Sequence, residues 1–586
     1  MRLQQTWWLR QDCLRTIGLI VCLFAILMTA CGGTSQSGSA QKATDDKQVF
    51  VYPISGKDIS TFDPATAEDN ASVVASSMVF TGLVQVDENQ KLIKQLAESY
   101  SVANDGLTWT FKLRPNLKFS DGSPLTAQDV LYSINRALDP KTKSTTAPIY
   151  LNLIKGGADF NAGKIPTLIN VGLFAPDPST VKIVTEKRAV YFLYTLAYIS
   201  SFVVNKKVID KYGDQWTDHL SEGAGAGPFI NSKYIKGRGL EFTPNPNYYG
   251  SKVQLKKVVM PFYQSNDTVY RAYQAGQVSW GNVSSANVES ARQLPDKQYH
   301  AVPAQSIYYL TMNYYSKPFN NIKVRQALAL ALNKEQIAHS IYKDNVIPTN
   351  HIVPSGIPSY NPDLAGPAGV TSLKGDRTKA KQLFNEGLQE EGLSVKNFPT
   401  ISLYYNAAWP VDDRNMLTAA QQTWQEVLGI SIKLEGMDYP SLLKRNDETH
   451  GNPNGMQMWF IRWGSDYPDP QNWLTLLFDK NSSYNSENFG LNTQVKSASR
   501  QQQAIDLMQQ ADGNIDNTER IKQYQQAEQI LVDEVAWLPI YQAYNPTVVK
   551  PCVEGLSPTA QGLPVGDHWA NLYISTQTPC TLNSSL

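Results

Sequence analysis

Cys31 stands in the setting where a thiol becomes lipidated. Met28-Thr29-Ala30 precede it, the run from Ile17 to Met28 is almost wholly apolar, and Arg2, Arg10 and Arg15 lie ahead of that run. A basic start, a short apolar stretch and small residues before a cysteine read as a bacterial lipoprotein signal peptide, cleaved ahead of the cysteine that then carries the lipid. The stretch is shorter than the ~20 residues a membrane-spanning helix needs, so a permanent transmembrane anchor fits less well. Asp466 and Asp469 are the second chemical feature. Two neighbouring carboxylates can hold a metal or share acid and base roles at a glycosidic bond. Here they flank Tyr467-Pro468, and aspartate is equally at home capping such a turn. The chain has no Gly-x-Ser-x-Gly elbow, no His-Glu-x-x-His pair and no phosphate loop ending in Gly-Lys-Ser/Thr. Its histidines, His219, His300, His339, His351, His450 and His568, are scattered. Catalysis is therefore disfavoured, with an extracytoplasmic hydrolase as the remote alternative, and no metal or cofactor is implied.

Of the five cysteines, Cys13 and Cys22 fall in the signal and Cys31 carries the lipid, leaving Cys552 and Cys580. In an oxidising compartment that pair is a candidate disulfide tying down the C-terminal tail; two buried thiols are the alternative. Gly32 to Ser39 form an uncharged, flexible tether for a domain held outside the membrane. Lys and Arg number 52, as do Asp and Glu, and loss of residues 1–30 removes three Arg and one Asp, leaving 49 against 51. Such a balance offers nucleic acid no electrostatic attraction.

The elements that must position these groups are legible in part. Asn104-Asp105-Gly106 signals a turn, after which Trp109, Phe111 and Leu113 alternate with Thr108, Thr110 and Lys112 as a half-buried strand. Thr126 and Asp129 make a capping pair ahead of Val130, Ile134 and Leu138 at helical spacing. Val324, Ala327, Leu328, Ala331 and Ile337 give another helical face, and Leu417, Ala420, Trp424 and Leu428 a third that Gly429 stops. Ile430, Ile432 and Leu434 then alternate as a strand. Ile521, Tyr524, Ala527, Leu531 and Val535 form a stripe leading into Trp537-Leu538-Pro539-Ile540-Tyr541, where the proline predicts an edge strand. The body is mixed α/β, and these stripes are core.

Several segments, in this order, resemble the extracytoplasmic solute-binding proteins of family 5, the peptide-binding components of ABC importers. They are Phe62-Asp63-Pro64, Val79-Phe80-Thr81-Gly82-Leu83, Trp109 to Arg114, Phe119 to Val130, Gly225-Ala226-Gly227-Pro228-Phe229, Asn245 to Tyr249, Val324-Arg325-Gln326-Ala327-Leu328 and Trp463 to Pro470. The Gly-rich run Gly223–Gly227 belongs to this pattern and is no nucleotide signature.

The resemblance implies an α/β, two-lobed periplasmic-binding-protein-like clamshell of type II with an extra domain. Residues 1–30 are then the signal peptide, 31–47 the tether, 84–190 the extra domain and 306–535 the second lobe. The first lobe is assembled from 48–83, 191–305 and 536–586. By the same resemblance Asp466 accepts a peptide α-ammonium, Trp463 walls the cleft, and Glu68, Asp69 and Asn70 line the opposite face. The family arginine of the preceding strand is replaced by Phe460, and Arg462 is a candidate substitute. The implied function is capture of a peptide by lobe closure and delivery to an ABC permease and its ATPase, by a monomer lipid-anchored to the bacterial cell membrane. Oligosaccharides, nickel chelates and haem are the alternative ligands.

Overall fold

The computed structural model describes residues 41–557, 563–581 and 586. The expected signal peptide, Cys31 and residues 31–40 of the expected tether lie outside the described residues. Among the described residues no helix is long and apolar enough to cross a membrane.

The turn at Asn104-Asp105-Gly106 forms because Asp105 Oδ1 accepts from the Leu107 and Thr108 amides at 2.8 and 3.0 Å while Gly106 takes φ +70°. Strand Thr108–Leu113 follows, burying Trp109, Phe111 and Leu113. It joins Ala97–Val102, Thr180–Val184 and Leu173–Asp177 in an antiparallel four-stranded sheet. Helix Ala127–Leu138 starts at Thr126 with the expected capping box, and Val130, Ile134 and Leu138 are fully buried. Asp63, from the Phe62-Asp63-Pro64 segment, accepts both guanidinium nitrogens of Arg136 on this helix, a buried fork that ties the segment to it.

A second sheet joins Val49–Val51, Lys257–Tyr263, Gly239–Pro244 and Phe229–Ile235, with Ile54–Ser55 along its side. The Gly-rich run packs under it for a steric reason. The Gly227 amide donates to the Val79 carbonyl at 2.8 Å, and a Cβ at Gly225 would lie 2.2 Å from that oxygen. Only glycine allows this approach of two backbones.

The third sheet runs in the order Trp280–Asn282, Leu538–Val549, Tyr299–Met312, Met458–Gly464, Ile401–Asn406, Ile432–Met437. Helices Ile322–Ala331 and Val411–Leu428 cover one face, and Ala498–Gly513 and Asn517–Asp533 the other. Both faces of strand Met458–Gly464 are therefore dry over Met458–Ile461, with Met458 and Phe460 in one core and Trp459 and Ile461 in the other, while Arg462 and Gly464 are exposed. Strand Leu538–Val549 lies inside the sheet for most of its length, but its start is the edge that Pro539 predicted: Leu538–Ile540 pairs with Tyr299–Met312 alone, since Val346–Pro348 meets only Tyr541–Ala543 and Trp280–Asn282 only Thr547–Val549. The two longest strands pass from one body to the other. Leu310 and Leu538 belong to the core of the third sheet, whereas Val548 packs with Val51 and Val259 of the second.

Arg325 explains the Val324-Arg325-Gln326-Ala327-Leu328 segment. Its side chain and that of Glu534 are wholly buried and meet at 2.9 Å, with further bonds from Nε to the Glu534 carbonyl and from Nη1 to the Phe319 carbonyl. Arg325→Ala leaves Glu534 without its counter-charge and is expected to destabilise the chain by about 3–5 kcal/mol, measured by denaturant unfolding. Cys552 and Cys580 form a disulfide across 28 residues of sequence. Reduction should lower stability by about 3–4 kcal/mol on the loop-closure argument, and Cys552→Ser/Cys580→Ser should abolish that sensitivity to reductant.

Candidate ligand-binding cleft

Strand Met458–Gly464 ends where Ser465 bonds back to Gln305 through its amide at 3.0 Å and its hydroxyl at 2.6 Å. The chain then turns, and the two aspartates part company. Asp469 Oδ1 caps the short helix Pro470–Asn472 through the Gln471 amide at 2.9 Å and meets Arg520 Nη2 at 2.6 Å, with both side chains nearly inaccessible. Among the described residues Asp466 pairs with no cation, and the polar partners of its carboxylate are Asn472, whose Nδ2 donates to Oδ2 at 3.1 Å, and the Tyr150 hydroxyl.

Asn472 holds this loop from three sides. Besides its bond to the carboxylate, it accepts the Asp466 amide on Oδ1 at 3.1 Å and the Trp463 indole on its carbonyl at 3.1 Å. Asp466 is thereby aimed into a cleft where two cavities meet, of about 700 and 530 Å³. Asp466 is exposed to the cleft, yet protein crowds its carboxyl closely enough to push it above the usual carboxylate range, and the Asn472 and Tyr150 bonds only partly oppose the shift.

The wall opposite Asp466 comes from residues far away in the chain. Tyr150 stacks on Tyr198 with ring centroids 3.7 Å apart and meets Tyr467 edge-on at 6.4 Å. The larger cavity runs past Tyr150 toward Glu186, Lys187 and Arg188, and the smaller runs under helix Asn70–Val79 past Val74, Met78 and Trp569. The two bodies also touch through the Val190 amide and the Asp512 carbonyl at 3.1 Å.

Of the other residues singled out in the sequence, Glu68 and Asn70 line the smaller cavity together with Asp466. Glu68 accepts the Thr145 hydroxyl at 2.6 Å. Asp69 instead caps helix Asn70–Val79 through the Ser72 amide at 2.9 Å. Trp463 and Arg462 border a separate cavity of about 320 Å³ inside the second lobe. Arg462 lies directly across from Tyr308 on the neighbouring strand, and Phe460 fills an apolar site between Tyr308 and Trp409. Sequence reasoning missed Tyr150, Tyr198 and Asn472. For Asn472 the signal was its place at the end of the Pro-rich turn; for the tyrosines there was none.

Residues 91–485 match the family pattern of the bacterial extracellular solute-binding proteins, family 5 Middle. The oligopeptide-binding protein OppA of Bacillus subtilis is 27% identical over 536 residues, covering 90% of this chain and 93% of that protein. The dipeptide-binding protein DppE of the same organism is 28% identical over 529 residues, covering 90% and 93%. Among solved structures, the unliganded open form of the periplasmic murein tripeptide binding protein MppA superposes with a TM-score of 0.76 at 24% identity, over 92% of this chain and 99% of that one. OppA of Haemophilus influenzae in complex with the peptide RPPGFSPFR gives 0.67 at 24%, over 91% and 100%. Both share the two-lobed α/β fold of this chain.

Asn472 couples Asp466 to the Trp463 indole, so ionisation of Asp466 should be visible in tryptophan emission. On acidification the wild-type protein is expected to show a fluorescence step above the usual carboxylate range, and Asp466→Asn should lack it. Identical titration curves for the two proteins would contradict this placement of the carboxyl.

Proposed function

The chain belongs to the bacterial extracellular solute-binding proteins of family 5, and we propose that it captures peptides between its lobes and delivers them to an ABC permease. The observation that carries this reading is the uncompensated carboxylate of Asp466 at the meeting point of two cavities. An anion without a cation in a cleft that can close is suited to a ligand that supplies the cation. A peptide α-ammonium does so, and forms charge-assisted hydrogen bonds that strengthen as water leaves. The Tyr150 hydroxyl is placed to share the same ammonium. Glu68 and Asn70, across the smaller cavity, can bond the ligand's main chain, which gives affinity without reading side chains.

Closure follows from ligand contacts on both lobes. A ligand stabilises the closed state only to the extent that it binds that state better, and contacts to one lobe alone leave the equilibrium where it was. Strands Tyr299–Met312 and Leu538–Val549, which run from one core to the other, are the hinge in this reading, and the register break between Pro303 and Ile307 is where they flex. The lobes keep the boundaries 48–83, 191–305 and 536–586 against 306–535, with 84–190 as the extra domain. Lipidation of Cys31 tethers a monomer to the outer face of the membrane. Nucleotide hydrolysis belongs to other subunits, and this chain is itself no enzyme.

Calorimetry with a peptide library tests the assignment. Asp466→Ala should weaken binding by about 3–5 kcal/mol, two to four decades in Kd, because the ammonium is left buried and unpaired. N-acetylated peptides should lose as much on the wild type and nothing further on the variant. At low pH the wild-type affinity should fall as Asp466 takes up a proton, starting above the usual carboxylate range. Unchanged affinity in Asp466→Ala would remove that residue from the site.

A further inference from the structure

The cavity of about 320 Å³ beside Trp463 has a floor that the capture of a main chain leaves unused. It is walled by Tyr309, Tyr439, Trp459, Trp463 and Tyr484, and Glu487 lies at its inner end. Glu487 is 3% exposed, and its Oε1 meets no hydrogen-bond partner among the described residues; neither does the buried Trp459 indole nitrogen. The Trp537 indole draws the Glu487 carboxyl down in part, yet burial dominates and pushes it well up, and among the described residues no cation pairs with it. An orphaned carboxyl oxygen at this depth costs free energy that nothing else in the lobe recovers.

The cavity opens next to the proposed ammonium site. Tyr484 meets the Trp463 ring edge-on at 5.7 Å, and its phenol feels the charges of both Asp466 and Asp447. Asp447, also in the wall, adds a second acid at the mouth. Arg462 is the one basic residue among the described lining; it is exposed on the rim and hydrogen-bonded to the Tyr308 phenol on the neighbouring strand.

We propose that this cavity seats a cationic side chain of the captured ligand, an ammonium or guanidinium, with Glu487 as its counter-charge. The inference rests on the peptide reading above and adds to it a preference that a main-chain binder would not have. Acids at both ends and aromatic faces between them favour a cation over an aliphatic or anionic group, since ring faces attract cations and the buried carboxyl gains the partner it lacks. A neutral aromatic side chain would fill the volume but leave Glu487 unpaired.

The test is calorimetry with alanine-based peptides in which one lysine, norleucine or phenylalanine is moved along the sequence. In the wild type, lysine at one position should bind about tenfold or more tighter than norleucine or phenylalanine there. Glu487→Gln should erase that preference while keeping its affinity for the norleucine peptide. Leu443→Trp, at an exposed position on the cavity wall, should erase it by occlusion and so decides the matter even if Glu487→Gln does not fold. Peptides that bind with no lysine preference at any position, a preference for phenylalanine, or a lysine preference that survives both variants would each overturn the subsite and leave peptide capture standing. Failure of every peptide to bind would overturn both.

Discussion

A carboxylate without a cation, held at the junction of two lobes, is the constraint around which this molecule is organised. Two of the buried acids in the second lobe are paired with an arginine: Asp469 with Arg520, and Glu534 with Arg325. Asp466 has only an amide and a phenol, which orient it without neutralising it. In the proposed reading this uncompensated charge is an electrostatic demand that a cationic group of the ligand answers.

The scaffold keeps that demand from being met internally. Asn472 fixes the loop through three hydrogen bonds, so the carboxylate does not swing toward a neighbouring basic group. Asp469 and Arg520, buried together, anchor the turn that presents Asn472. Further back, the strand that leads to the loop is packed on both faces over Met458–Ile461. Across the cleft, Tyr150 and Tyr198 stack in a core that Tyr467, the neighbour of Asp466, also enters, so the two walls meet at that ring.

Local order was legible wherever one short stretch supplied its own physics. The hairpin at Asp105-Gly106, the capping box of Thr126 and Asp129, and the stop at Gly429 each depend on a few consecutive side chains and a backbone angle. Pro539 marked a local edge for the same kind of reason: a proline cannot donate to a ladder, and Leu538–Ile540 has a strand on one side only, although the same strand runs into the sheet interior further on. The paired aspartates, by contrast, were ambiguous. Either could cap the turn, and only the position of Arg520 shows that Asp469 does so and leaves Asp466 free of it.

The sequence by itself determined the class of molecule: an α/β body with a family pattern along most of its length, a carboxylate at 466, and two body cysteines available to bond. Those properties reside in the order of residues along the chain. The tertiary structure alone decided which groups face one another. Tyr150 bonds to Asp466, Asp69 caps a helix, Phe460 is dry, and Glu487 lines the cavity that Trp463 borders, with no cation beside it among the described residues. The reason is physical: whether a charge is compensated depends on distances between elements remote in sequence, and those distances exist only once the sheets and their covering helices have packed.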